Sequence, residues 1–97
     1  MKKTIFISGN FNILHPGHLR LLKFARELGN KLIVGVISDK LGGDLIHIPE
    51  KLRLEGISSN TFVTEALLIN EPLHSVIENL KPDIVVKGKE HEGNFNP

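Results

Sequence analysis

The sequence predicts an α/β fold, a Rossmann-like three-layer αβα sandwich built on a mostly parallel sheet. Three observations predict it. Short β-branched apolar runs recur along the chain. Amphipathic helical stretches separate them, and glycine, proline or polar turns mark most joints. Alternating strand and helix signals of this kind are the pattern of a parallel sheet with helices on its faces.

Taken in order, residues 4–8 (Thr-Ile-Phe-Ile-Ser) read as a short buried strand ending at Gly9. After a turn from Gly9 to Gly17, His18 to Leu28 is helical. Leu21, Leu22, Ala25 and Leu28 share one stripe, while Arg20, Lys23, Arg26 and Glu27 fall mostly outside it. Pro16 suits a first helical turn and Gly29-Asn30 a C-cap. Lys31 to Ser38 is almost continuously apolar, as a strand covered on both faces should be. This βαβ unit is expected to cross over right-handed. Pro49 to Ser58 is a second helix, with Ile48, Leu52 and Ile57 available to the core. Val63 to Ile69 is a strand, weakened by Glu65 and Ala66. Glu71-Pro72 opens a helix to Leu80 that turns Leu73, Val76, Ile77 and Leu80 inward. Lys81-Pro82-Asp83 stops it, and Ile84-Val85-Val86 is a further strand ending at Lys87-Gly88.

The 97 residues make one domain, 1–97, of modest expected stability. Twelve basic residues against eleven acidic give a formal charge of +1. So even a balance argues against a nucleic-acid footprint or a polybasic membrane anchor. There is no cysteine, hence neither a disulfide framework nor a thiolate metal site. The apolar run after Lys2-Lys3 is too short for a signal peptide, and no stretch is long enough to span a bilayer. A cytoplasmic protein acting on a small molecule is the expectation.

In parallel sheets, ligands collect beyond the carboxyl ends of the strands, where strand order reverses. That rule selects Gly9 to His18, Ser38 to His47 and Lys87 to Asn96, all rich in Gly, His, Asn, Asp or Lys. His15 and His18 lie three apart across a helix start, so both can face one way. Gly17 lets a ligand approach the backbone, and a helix N-terminus favours a phosphate. Two imidazoles there could bind a triphosphate and stabilise charge growing at its α-phosphorus. Two other readings compete. The pair could be half of a zinc site, but only His47, His74 and His91 could complete it. Alternatively, His15 could simply cap the helix and His18 lie on the surface.

The block Gly9-Asn10-Phe11-Asn12-Ile13-Leu14-His15-Pro16-Gly17-His18, followed by Leu21-Leu22 and Ala25 to Gly29, resembles the HxGH cytidylyltransferase-like nucleotidyltransferases. Within that family it is similar to glycerol-3-phosphate cytidylyltransferase and to the adenylyltransferase domain of ADP-heptose synthesis. Lys81-Pro82-Asp83-Ile84-Val85-Val86-Lys87-Gly88 looks more like the latter, which favours ATP slightly over CTP.

The resemblance implies a HUP-type nucleotidyltransferase fold. It also implies transfer of AMP or CMP from a nucleoside triphosphate to a phosphorylated sugar or polyol, releasing pyrophosphate with Mg²⁺. Under it His15 and His18 are catalytic. Gly9, Asn10, Phe11, Gly17, Gly88, Lys89 and His91 meet the nucleotide, with Asn10 and Phe11 on the pocket floor. Asn12, Asp39, Lys40 and Arg53 handle phosphate or acceptor, and no residue is assigned to a metal. For Arg53 a solvated helix position competes, and for Lys40 an exposed loop position. A homodimer is expected.

The chain departs from the family in two places. Asn12 stands where relatives usually carry aspartate, and the loop after Asp39 has a single lysine. The family pattern also continues into a Gly-Ile-Ser-Thr-Thr-like motif beyond Pro97. The expectation is therefore a domain truncated at its C-terminus. A nucleotide-binding module without turnover is the alternative function.

Overall fold

A computed structural model describes residues 2–12, 14 and 16–86. Four parallel strands, β1 (Thr4–Gly9), β2 (Lys31–Ile37), β3 (Glu65–Ile69) and β4 (Ile84–Val86), form one sheet in the order β3-β2-β1-β4. Helix α1 (Pro16–Glu27) links β1 to β2, and α4 (Leu73–Leu80) links β3 to β4. Between β2 and β3 lie a short helix α2 (Asp39–Gly42), a 3₁₀ turn (Gly43–Leu45) and helix α3 (Glu50–Ser58). The α/β fold class and its parallel sheet are as predicted, and α2 with its 3₁₀ turn is an addition.

Side-chain alternation along the strands sorts the layers. Ile5, Ile7, Leu32, Val34 and Val36 face one way and form a core with Leu22 and Ala25 of α1 and Ile57 of α3. Phe6, Ile33 and Ile69 face the other way and meet Val76 of α4, with Ile77 and Leu80 packed alongside. The register accounts for this sorting, since Ile5 pairs with Leu32, Phe6 with Ile33 and Ile7 with Val34. Leu32 to Val36 of β2 are all buried because both faces of the strand are covered, and Ile37 at its end is partly buried.

Three inward assignments are corrected. Leu52 is 56% exposed, Leu73 40% and Leu28 36%. Helix α3 buries the stripe Arg53 and Ile57 with Leu54 beside it, and Leu52 falls off that stripe. Leu73 opens α4 and Leu28 lies past the end of α1, so neither is held over the sheet. Arg26, expected outside, is half-buried and its Nη1 donates to the Phe62 carbonyl at 3.1 Å. Strand β3 begins only at Glu65, whose carboxylate pairs with Lys31 at 3.5 Å across the ladder. Lys81 ends α4 in the left-handed region, at φ 49°.

Gly35 shows how tightly the α4 face is packed. A Cβ there would overlap Ile69 Cδ1 and lie 3.0 Å from Phe6 Cζ. Gly35→Ala is expected to cost about 1–3 kcal/mol through overpacking. Thermal unfolding checks it: a melting temperature within a degree of wild type would show that Ile69 moves freely.

Candidate functional site

Strand order places the site. From β1 the chain moves outward to β2 and β3, then returns to pair β4 on the other side of β1. The order therefore reverses between β1 and β4, and the crevice beyond their carboxyl ends is the expected ligand position. Of the three stretches chosen from sequence, Gly9 to His18 flanks it directly. The second, after β2, is the neighbour of that turn. The third lies outside the described residues, and with it Gly88, Lys89 and His91, as does His15 in the first stretch.

The turn after β1 is built on an unusual residue. Phe11 has φ 51°, a left-handed conformation that costs a bulky residue about 1–3 kcal/mol. Gly9, expected to make the sharp turn, is the buried last residue of the strand. Phe11 tolerates the strain because its ring is 4% exposed and lies in the α1-side core. Removing a buried phenylalanine side chain typically costs about 3–5 kcal/mol, more than the strain. The ring meets His18 edge-on, with centroids 5.6 Å apart and planes at 62°.

His18 is the third residue of α1 and only 5% exposed, so it is not the surface histidine of the competing reading. Phe11 is thus more wall than floor: it supports the imidazole from behind. Gly17, in the same first turn, is half-buried. Asn10 is half-buried too, and its carbonyl is already engaged by Arg53.

The sequence leaves Arg53 between phosphate contact and a solvated helix face; the structure gives it a third setting. Its side chain has no exposed surface. Nε donates to the Ile48 carbonyl at 2.7 Å, and Nη1 donates to the carbonyls of Asn10 at 2.7 Å and Ile37 at 2.6 Å. Nη2 reaches Asp39 Oδ1 at 2.7 Å. One guanidinium thus ties the turn after β1, the end of β2, the start of α2 and the segment before α3.

Asp39 completes the tie. Its amide donates to Glu50 Oε1 at 2.8 Å. The hydrogen bond from Arg53 holds its carboxyl below the ordinary aspartate range against some desolvation, helped by the Glu50 backbone and the guanidinium charge. Ser38, missed from sequence, is buried and caps α2 by accepting from the Leu41 amide at 3.1 Å. Glu50 was likewise missed; an acidic first-turn residue gives no sign that it reaches another helix. Lys40 is exposed on α2, the less functional of its two readings.

Asn12 is also differently employed. Its Nδ2 donates to the Leu45 carbonyl at 2.8 Å, while Oδ1 accepts from the amides of His47 at 2.8 Å and Ile48 at 3.4 Å. Among the described residues no group of three or more His, Asp or Glu could hold a metal ion, and no helix is long and apolar enough to cross a membrane.

Known proteins share this framework. The model of the family described as cytidylyltransferase-like matches residues 6–96. The chain belongs to the cytidylyltransferase-like family. Bifunctional protein HldE of Campylobacter curvus is 41% identical over 95% of this chain, which spans 21% of that relative. FAD synthase of Methanohalophilus mahii is 40% identical over 87% of the chain, which spans 61% of it. A solved lipopolysaccharide core biosynthesis protein from Thermoplasma volcanium superposes with a TM-score of 0.79 at 32% identity, covering 86% of this chain and 71% of that one. The family resemblance read from the Gly9 to His18 block is confirmed.

Two outcomes follow from the Arg53 tie. Arg53→Met removes a donor from the carbonyls of Asn10, Ile37 and Ile48, and leaving an acceptor unsatisfied is expected to cost about 1–3 kcal/mol in urea unfolding. A loss under 1 kcal/mol would mean the tie is dispensable. The acid dependence has a definite sign. A carboxyl whose folded pKa is depressed adds stability that is complete above its unfolded pKa and lost as pH falls through the folded value. Asp39→Asn should therefore be less stable than wild type at neutral pH, and the gap should close below about pH 4. A gap that persists at pH 2 would assign the loss to another cause.

Proposed function

We propose that this domain is a nucleotidyltransferase that transfers a nucleoside monophosphate from a triphosphate to a phosphorylated small molecule, with release of pyrophosphate. The observation that carries the reading is the strained turn after β1. It sits at the switch point of the sheet and delivers a buried imidazole, His18, on the first turn of α1.

A helix N-terminus carries partial positive charge and amides directed outward, which suits the triphosphate. The attacking oxygen comes from the acceptor phosphate, the bond to the α-phosphorus forms as the bond to pyrophosphate breaks, and no protein nucleophile is required. His18 would donate to the oxygens on which charge accumulates. Its placement against Phe11 keeps the ring oriented before the ligand arrives. His15 is expected to act beside it. Magnesium would neutralise the triphosphate, held mainly by phosphate oxygens and few protein groups.

ATP is the favoured donor. FAD, the product named in one group of relatives, contains an adenylyl unit, and the Lys81 to Gly88 segment resembles the heptose adenylyltransferase. A phosphorylated sugar is the favoured acceptor, supported by the relative named for lipopolysaccharide core biosynthesis. A cytoplasmic homodimer completes the reading.

Pyrophosphate release tests it, measured with ATP and with CTP against a panel of sugar phosphates, polyol phosphates and flavin mononucleotide. Release with ATP and a sugar phosphate is expected, falling about 100-fold or more in His18→Ala, the scale of losing one transition-state donor. Saturable nucleotide binding without pyrophosphate would leave a binding module. Full turnover in His18→Ala would remove the imidazole from the mechanism.

A further inference from the structure

Three contacts draw residues 42–48 onto the turn after β1. The Asn12 carboxamide is engaged by the Leu45 carbonyl on one side and the His47 and Ile48 amides on the other. Arg53 bridges the Asn10 and Ile48 carbonyls. A Cβ on Gly42 would overlap the Ile46 side chain and lie 3.6 Å from Asn10 Oδ1. The segment so fixed presents Leu45, 65% exposed, and an exposed His47, rather than a run of lysines.

We propose that Asn12 is a positioning residue that makes residues 45–48 a wall of the nucleotide site, moving with the triphosphate turn, and that a carboxamide is required. The proposal rests on the nucleotide reading above. Its chemistry is specific. An aspartate could still accept from His47 and Ile48 but would set a carboxylate oxygen against the Leu45 carbonyl, where a donor is needed. The same contacts turn Oδ1 away from a metal, since it already receives two N–H groups.

Amide hydrogen exchange tests the proposal on the intact chain, with MgATP and MgCTP as probes. In the free protein, Asn12→Ala should speed exchange at His47 and Ile48 roughly five- to tenfold, the scale of one lost hydrogen bond. Asn12→Asp should restore only part of that protection, because its second carboxylate oxygen faces the Leu45 carbonyl, and strands β1 and β2 should be unchanged in each variant. Full protection in Asn12→Asp would overturn the need for a carboxamide. In wild type, nucleotide should slow exchange at His18 and also at His47 and Ile48. In Asn12→Ala the slowing at His18 should remain and that at the other two should vanish. Wild-type exchange at His47 and Ile48 in free Asn12→Ala overturns the latch. Nucleotide protection of 45–48 that survives in Asn12→Ala overturns the coupling. No protection at His18 with either nucleotide overturns the triphosphate reading instead, a separate outcome.

Discussion

At the carboxyl ends of parallel strands the ladder runs out, and the last carbonyls need donors that the sheet no longer supplies. In this domain one guanidinium supplies them. Arg53 meets the carbonyls of Ile37, at the end of β2, and of Asn10, just beyond β1, while its Nε holds Ile48 and its Nη2 holds Asp39. A planar fork of donors can serve several fixed oxygens at once, which a lysine ammonium on a flexible stem does poorly. The charge is buried, and Asp39, with half its side chain exposed, balances it from the rim. The turn after β1 and the segments after β2 are thus held by this one side chain.

The turn after β1 shows the second half of the same arrangement. Arg53 fixes its backbone at Asn10, and Phe11 then takes a left-handed conformation that only its burial can compensate. Strain at such a point is stored where a ligand is to be met and offset by the packing behind it. The result is a histidine whose ring is braced by an aromatic edge and whose helix begins two residues earlier.

Much of this was legible in the sequence because it depends on local pattern. The β-branched runs, the α1 stripe through Leu22 and Ala25, the Val76-Ile77-Leu80 face and the Gly9 to His18 block all carry their own signal. What was not legible depends on partners far along the chain. Arg53 reads as a phosphate ligand or a surface residue because nothing near it in sequence announces Asn10, Ile37 or Asp39. Its burial is also why α3 turns Leu54 and Ile57 inward and leaves Leu52 out. Phe11 was read as the floor of a pocket because residue type suggests a stacking surface, whereas the backbone conformation sends the ring into the core. Asn12 could be recognised as a departure from its relatives, but the reason for an amide lies in residues 45–48.

That separation of scales bears on how one framework serves different chemistry. Relatives named for FAD synthesis and for HldE are each about as similar to this chain as the other, at 40% and 41% identity. Under the proposed reading the sheet, the turn after β1 and the start of α1 hold the triphosphate. A change of acceptor would then fall to the loops those parts hold, and residues 39–48 are the described loop nearest the turn. Such a loop can vary its exposed side chains only if its backbone stays registered to the triphosphate. Asn12 and Arg53 provide that registration through main-chain atoms of Asn10, Leu45, His47 and Ile48, contacts indifferent to the side chains carried there. Under the proposed reading, the exposed side chains of Leu45 and His47 are then the ones available to a second substrate while the geometry beneath them stays constant.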